Sequence, residues 1–116
     1  MTGITFYHNP RCSKSRQALQ LLRDRGIEPV VVEYLKQPLS ETQIKRLLKM
    51  LDMTPRELLR KKEEEYGALT LDNPELSTSF LIKTMADHPA LMERPIAVAG
   101  EKAVLGRPPE RVLDIL

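Results

Sequence analysis

Within its first 34 residues the chain spells a strand, a helix and a second strand joined by short connections, and that succession restricts the fold more than any other feature. Ile4-Thr5-Phe6-Tyr7 is a β-rich run. Ser13–Arg25 follows with Ala18, Leu19, Leu21 and Leu22 on one face, and Gly26 stands where a helix C-terminus wants a residue with positive φ. Val30–Tyr34 is β-branched and reads as a strand suited to burial on both faces. Two strands bridged by a helix with short connections form a βαβ unit, so these two strands are expected to be parallel.

The middle of the chain changes period. Ser40-Glu41-Thr42-Gln43 and Thr54-Pro55-Arg56-Glu57 are capping boxes, the second with proline at the first helical position. The first is followed by Ile44, Leu47, Leu48 and Leu51, the second by Leu58 and Leu59. Ser77 or Ser79 opens a third helix through Leu81, Ile82, Met85 and Ala86, closed before Pro89. Strand character returns at Ile96–Ala99, turns at Gly100-Glu101 and resumes at Ala103–Leu105, and a short helix ends the chain at Glu110–Leu116. The expected fold is therefore α/β: a thioredoxin-like, four-stranded mixed sheet of order 2-1-3-4, with a helical insertion over about 40–87 after the second strand. One domain over 1–116 is long enough for its own core.

Composition removes several classes of function. A net charge of +2, with basic residues scattered, does not suit a nucleic-acid binder. No apolar run approaches the ~18 residues of a membrane span, and a strand begins at once where a signal peptide would lie. A cytoplasmic protein is expected. Two histidines, one cysteine and no clustered carboxylates make a metal site unexpected.

That one cysteine, Cys12, falls between the first strand and the first helix, at or beside the helix N-cap. Unpaired N–H groups and the positive end of the helix dipole favour a thiolate there, so Cys12 is expected to titrate below the ~8.5 of a free thiol. Arg11, Lys14 and Arg16 add positive charge, and His8 is a further candidate cation. Cys12-Ser13-Lys14-Ser15 has serine where a dithiol motif has its second cysteine. With no second cysteine anywhere, an oxidised Cys12 must be resolved by a thiol from another molecule. Ser15 reads equally well as a donor to the thiolate and as an ordinary first-turn serine. Among the arginines, Arg94 precedes Pro95, and Arg107 lies between Gly106 and Pro108-Pro109, so rigid neighbours aim both. Arg60, placed on the helix begun at Thr54, has Glu63 and Glu64 as three- and four-residue partners and reads by itself as a surface ion pair. Lys61–Glu65 reads as a solvated helix face and His88 as a helix C-terminal residue.

Taken together, Tyr7-His8-Asn9-Pro10-x-Cys12-x-x-Ser15-Arg16, Leu58-Leu59-Arg60, His88-Pro89-x-Leu91-x-x-Arg94-Pro95-Ile96 and Gly106-Arg107-Pro108 resemble the glutaredoxin-coupled arsenate reductases over nearly the whole chain. The resemblance implies that Cys12 is the catalytic cysteine and that Arg60, Arg94 and Arg107 bind the oxyanion. His8, Ser15 and Arg16 match positions around the family's thiolate. It implies arsenate as substrate, glutathione as co-substrate, glutaredoxin as the partner that finishes the reduction, and no bound cofactor. In a thioredoxin-like sheet the third strand is commonly entered through a cis-proline facing the cysteine, so a cis Arg94–Pro95 bond is expected.

Two other readings stay open. Spx-like regulators share this architecture but bind RNA polymerase, a role with no need of three arginines around a thiolate. A monothiol oxidoreductase acting on glutathione mixed disulfides would use Cys12 and Pro95 without Arg60.

Overall fold

The computed structural model describes residues 3–93 and 95–116. The chain divides into two compact units, Met1–Gln37 with Arg94–Leu116, and Pro38–Glu93.

The first unit is built on a four-stranded sheet of order β2-β1-β3-β4. Its strands are β1 (Ile4–His8), β2 (Val30–Glu33), β3 (Ile96–Ala99) and β4 (Lys102–Leu105). β1 runs parallel to β2 and antiparallel to β3, and β3 pairs antiparallel with β4. The predicted order and strand directions are those found. Gly100 takes φ +62° at the first position of the two-residue β3–β4 turn, where a type II′ turn favours glycine.

Period-two alternation along β1 buries Ile4, Phe6 and His8 on one face. Helix α1 (Ser13–Asp24) covers that face with a stripe at i, i+3, i+4 and i+7: Ser15, Ala18, Leu19 and Leu22. Leu21 is only partly buried at the margin of this stripe. Ala97 of β3 and Val112 and Ile115 of the closing 3₁₀ segment (Pro109–Ile115) complete the core. Each fully buried large apolar side chain here contributes about 1.5–3 kcal/mol. Gly26, at φ +77°, ends α1: its N–H reaches the Arg23 carbonyl while that of Ile27 reaches Leu22.

One expectation fails in this unit. β2 is an edge strand, and Val30 is 64% exposed. Its β-branched run is not covered on both faces: Val30 is exposed and Val31, Val32 and Glu33 are only partly buried.

The second unit is helical. It holds α2 (Glu41–Leu51), α3 (Pro55–Leu58), α4 (Glu64–Ala68), α5 (Thr78–Asp87) and a 3₁₀ turn at Pro89–Leu91. Both capping boxes form, Ser40 with Gln43 and Thr54 with Glu57, and Ser77 caps α5. α2 packs on α5 through Ile44, Leu47 and Leu48 against Leu81, Ile82 and Met85. Arg56 donates to the carbonyls of Leu71 and Asn73, fastening a segment with no helix of its own.

α3 stops at Leu58. Leu59 turns extended to pair with Met92, which takes Arg60 off the helix where its spacing had set it. Lys61–Glu65 is correspondingly a turn leading into the short α4 rather than one helix face. Among the described residues no helix is long and apolar enough to cross a membrane.

Candidate active site

One row of the sheet sets the geometry. Val32, Tyr7, Ile96 and Leu105 lie side by side across β2, β1, β3 and β4. Three segments therefore leave the same end of the sheet: the loop after His8, the approach to Ile96 at Pro95, and Gly106-Arg107 after Leu105. That loop carries Cys12, which is the N-cap of α1 with extended backbone, φ −92° and ψ 121°. The first turn of α1 holds no acidic residue to neutralise the dipole, and the Cys12 side chain takes no capping hydrogen bond. Cys12 is intermediate in exposure, as a reacting thiol requires.

The loop is fixed from inside. The Cys12 N–H donates to the Asn9 carbonyl at 3.0 Å, and the Arg11 N–H donates to Asn9 Oδ1 at 3.0 Å. Asn9 thus turns the chain through both its backbone and its side chain, a behaviour the Asn-Pro pair signals. It stands in the motif that carried the resemblance, yet that resemblance assigned it no role. Arg16 folds back so that Nη1 donates to the Pro10 carbonyl at 2.8 Å.

Ser15 is wholly buried. Its Oγ lies 2.7 Å from Nδ1 of His8 and accepts from the Asn9 N–H at 3.1 Å. The hydroxyl has one proton, and the His8 contact uses it whenever Nδ1 is the acceptor. His8 itself is only 7% exposed and stacks obliquely on Phe6 at 5.5 Å. Burial lowers its pKa; Glu33 opposes this, while Arg23 and Arg16 add to it. His8 is therefore neutral at pH 7. It is not the extra cation its position had suggested, and what it does here is anchor Ser15.

Pro95 is fully buried, and its carbonyl accepts from the Gly106 N–H at 2.8 Å. A Cβ at position 106 would sit 2.7 Å from Cγ of Pro95 and 2.9 Å from Cγ1 of Val112, so only glycine permits this approach. Arg107 follows, half-buried, its N–H bonded to the Leu105 carbonyl at 2.9 Å and its bond to Pro108 cis. Arg94, and with it the Arg94–Pro95 bond, lies outside the described residues.

Arg60 belongs to the helical unit. Its N–H donates to the Leu91 carbonyl at 2.7 Å, and the Glu93 N–H donates to Leu58 at 2.8 Å, on either side of the Leu59–Met92 pairing. Nε lies 3.4 Å from Glu63 and 3.6 Å from Glu93. With its side chain 17% exposed, Arg60 is no freely solvated surface residue, and buried Nε and Nη1 form no hydrogen bond. Glu63 was visible as a partner from its spacing, but Glu93 was not. His88 caps α5 and places Nδ1 2.9 Å from Glu65.

A cysteine at a helix N-terminus, a buried proline and an arginine at one sheet end are the groups that attack on an anionic electrophile would call for. The likeness to known proteins extends over the full chain. The Vibrio cholerae structure described as an arsenate reductase superposes with a TM-score of 0.96 and 46% identity, over 99% of this chain and 98% of that one. The Haemophilus influenzae protein named arsenate reductase is 46% identical over 98% of this chain and 99% of its own. The uncharacterized protein YfgD of Escherichia coli (strain K12) is 53% identical over 97% and 96%. The model of the ArsC family matches residues 7–115, which takes in the Cys12 loop, Pro95 and Arg107 alike; the chain belongs to the ArsC family.

Proposed function

We propose that this protein reduces arsenate to arsenite, with Cys12 as nucleophile and glutathione as the electron donor. The Cys12 thiolate attacks arsenic, a sulfur–arsenic bond forms, and one arsenate oxygen leaves as water. Glutathione then supplies the second thiol, and glutaredoxin reduces the resulting mixed disulfide. Arg60, Arg94 and Arg107 bind the oxyanion, where guanidinium groups offer charge-assisted hydrogen bonds and draw electron density from arsenic. Ser15, His8 and Arg16 act one step back by holding the loop that presents the sulfur. The reaction runs on external thiols in the cytoplasm and calls for no resident cofactor.

The observation that carries this reading is the convergence of Cys12, Pro95 and Arg107 on one end of the sheet, in a chain of the ArsC family. It is tested by following arsenite release with arsenate, glutathione and glutaredoxin present. Omitting any of the three should stop turnover.

A second reading, a monothiol oxidoreductase acting on glutathione mixed disulfides, is favoured by one fact: Glu63 and Glu93 already engage Arg60. It predicts turnover of glutathionylated substrates that is indifferent to Arg60→Ala.

A further inference from the structure

We infer that the cavity beside the Cys12 loop is the docking site of the second thiol, and that it is built for a small thiol bearing two carboxylates and one ammonium group. The cavity has a volume of about 310 Å³ and is lined by Asn9, Pro10, Arg11, Glu33, Leu35 and Lys36. One wall is the turn that ends at Cys12. The other is the turn after β2, where the N–H groups of Lys36 and Gln37 both donate to the Glu33 carbonyl at 2.9 Å. β1 and β2 are parallel, so both turns leave the same end of the sheet.

The position follows from the chemistry. A thiolate attacking the sulfur of a Cys12–arsenic adduct must approach opposite the bond that breaks. In the strand order β2-β1-β3-β4, Arg107 lies on the β3–β4 side of the Cys12 loop and the cavity on the β2 side. The oxyanion and the second thiol therefore have separate approaches. Attack forms the S–S bond and breaks S–As. The electron pair of that bond stays with arsenic, which goes from As(V) to As(III) and leaves as arsenite, taking up from solvent the proton that the thiol released on ionising. Cys12 is left as a mixed disulfide.

The lining sets the ligand class. Arg11 and Lys36 are exposed cations, Glu33 is an anion and Leu35 gives an apolar wall. The charges leave a net +1 (two cations less one anion). Glutathione, with two carboxylates and one ammonium, carries the complementary net −1. Lys36 and Glu33 lie 3.7 Å apart as a solvent-exposed pair, which holds weakly and opens readily to a ligand carboxylate.

The inference rests on Cys12 as a nucleophile served by an outside thiol, so its test contains no arsenate. Cys12 is converted to its mixed disulfide with 5-thio-2-nitrobenzoate, and release of that chromophore is timed with glutathione and with 2-mercaptoethanol. The ratio of the two rate constants is the readout, since any change in the intrinsic reactivity of the disulfide affects both thiols. In R11Q/K36Q the ratio should fall about 10-fold or more, the loss of roughly one charge-assisted contact. In E33Q the preference for glutathione over its N-acetyl derivative should shrink. An unchanged ratio in R11Q/K36Q overturns the site. Arsenate turnover is assayed apart, on the unaltered protein. If that turnover is absent while the ratio still falls, arsenate is lost as substrate and the thiol site stands.

Discussion

Oγ of Ser15 lies 2.7 Å from Nδ1 of His8, which ties the first turn of α1 to the last residue of β1 across the loop that carries Cys12. Ser15 occupies the same buried stripe as Ala18, Leu19 and Leu22, so its hydroxyl must find its partners inside the protein. Ser15→Ala leaves His8 Nδ1 and the Asn9 N–H buried without that partner. The expected cost is about 1–3 kcal/mol. In a domain of this size the melting temperature should fall by about 4–8 °C per kcal/mol. Thermal unfolding checks this. A variant as stable as the parent contradicts the anchoring role and returns Ser15 to an ordinary first-turn serine.

His8 gives the stability a pH dependence of definite sign. Its folded pKa is lowered chiefly by burial, so the folded protein resists a proton that the unfolded chain accepts at about 6.5. The contribution is complete above that value and is lost as the pH falls from there through the lowered folded pKa. Urea unfolding at about pH 7.5 and about pH 5.5 should show a larger loss for the parent than for His8→Asn. Equal losses would place the acid sensitivity elsewhere.

Much of this was legible in the sequence where the cause is local. The boxes at Ser40–Gln43 and Thr54–Glu57, the αL glycine at Gly26 and the hairpin turn at Gly100 each rest on a few adjacent residues, and all formed as read. What was missed depends on partners distant in the chain. Arg60 leaves its helix because Leu59 pairs with Met92, and the exposure of Val30 depends on which elements pack against the outer strand β2. His8 is the instructive case. The alternation Ile4, Phe6, His8 was present, but ending the strand at Tyr7 hid that His8 continues the buried face and so stays neutral.

Gly106 is held against the Pro95 ring by both the 2.8 Å hydrogen bond and the absence of a side chain. Gly106→Ala should destabilise by about 1–3 kcal/mol, since the ring cannot bend away as a flexible chain would. Because Gly106 abuts Pro95 and precedes Arg107 at the sheet end that carries the Cys12 loop, thiol reactivity of Cys12 should change as well. Melting temperature and alkylation rate together test it. An alanine variant with both unaltered contradicts the close approach.

Arg60 should separate charge from binding. With Nε near both Glu63 and Glu93, Arg60→Ala removes a partly buried ion pair from each, so stability falls. If Arg60 also binds the oxyanion, kcat/KM for arsenate falls about 10- to 100-fold. Adding Glu63→Gln and Glu93→Gln to Arg60→Ala should restore the melting temperature but not the turnover. Recovery of both would make Arg60 a structural residue alone.

The most direct measurement is a coupled assay with arsenate, glutathione and glutaredoxin, run on the parent protein beside Cys12→Ser. The parent should release arsenite with turnover saturating in arsenate. The serine variant should release none, because its hydroxyl is not ionised near neutral pH and forms no sulfur–arsenic adduct for glutathione to attack. Arsenite release by Cys12→Ser at the parent's rate, or none by the parent with all three components present, would contradict the account.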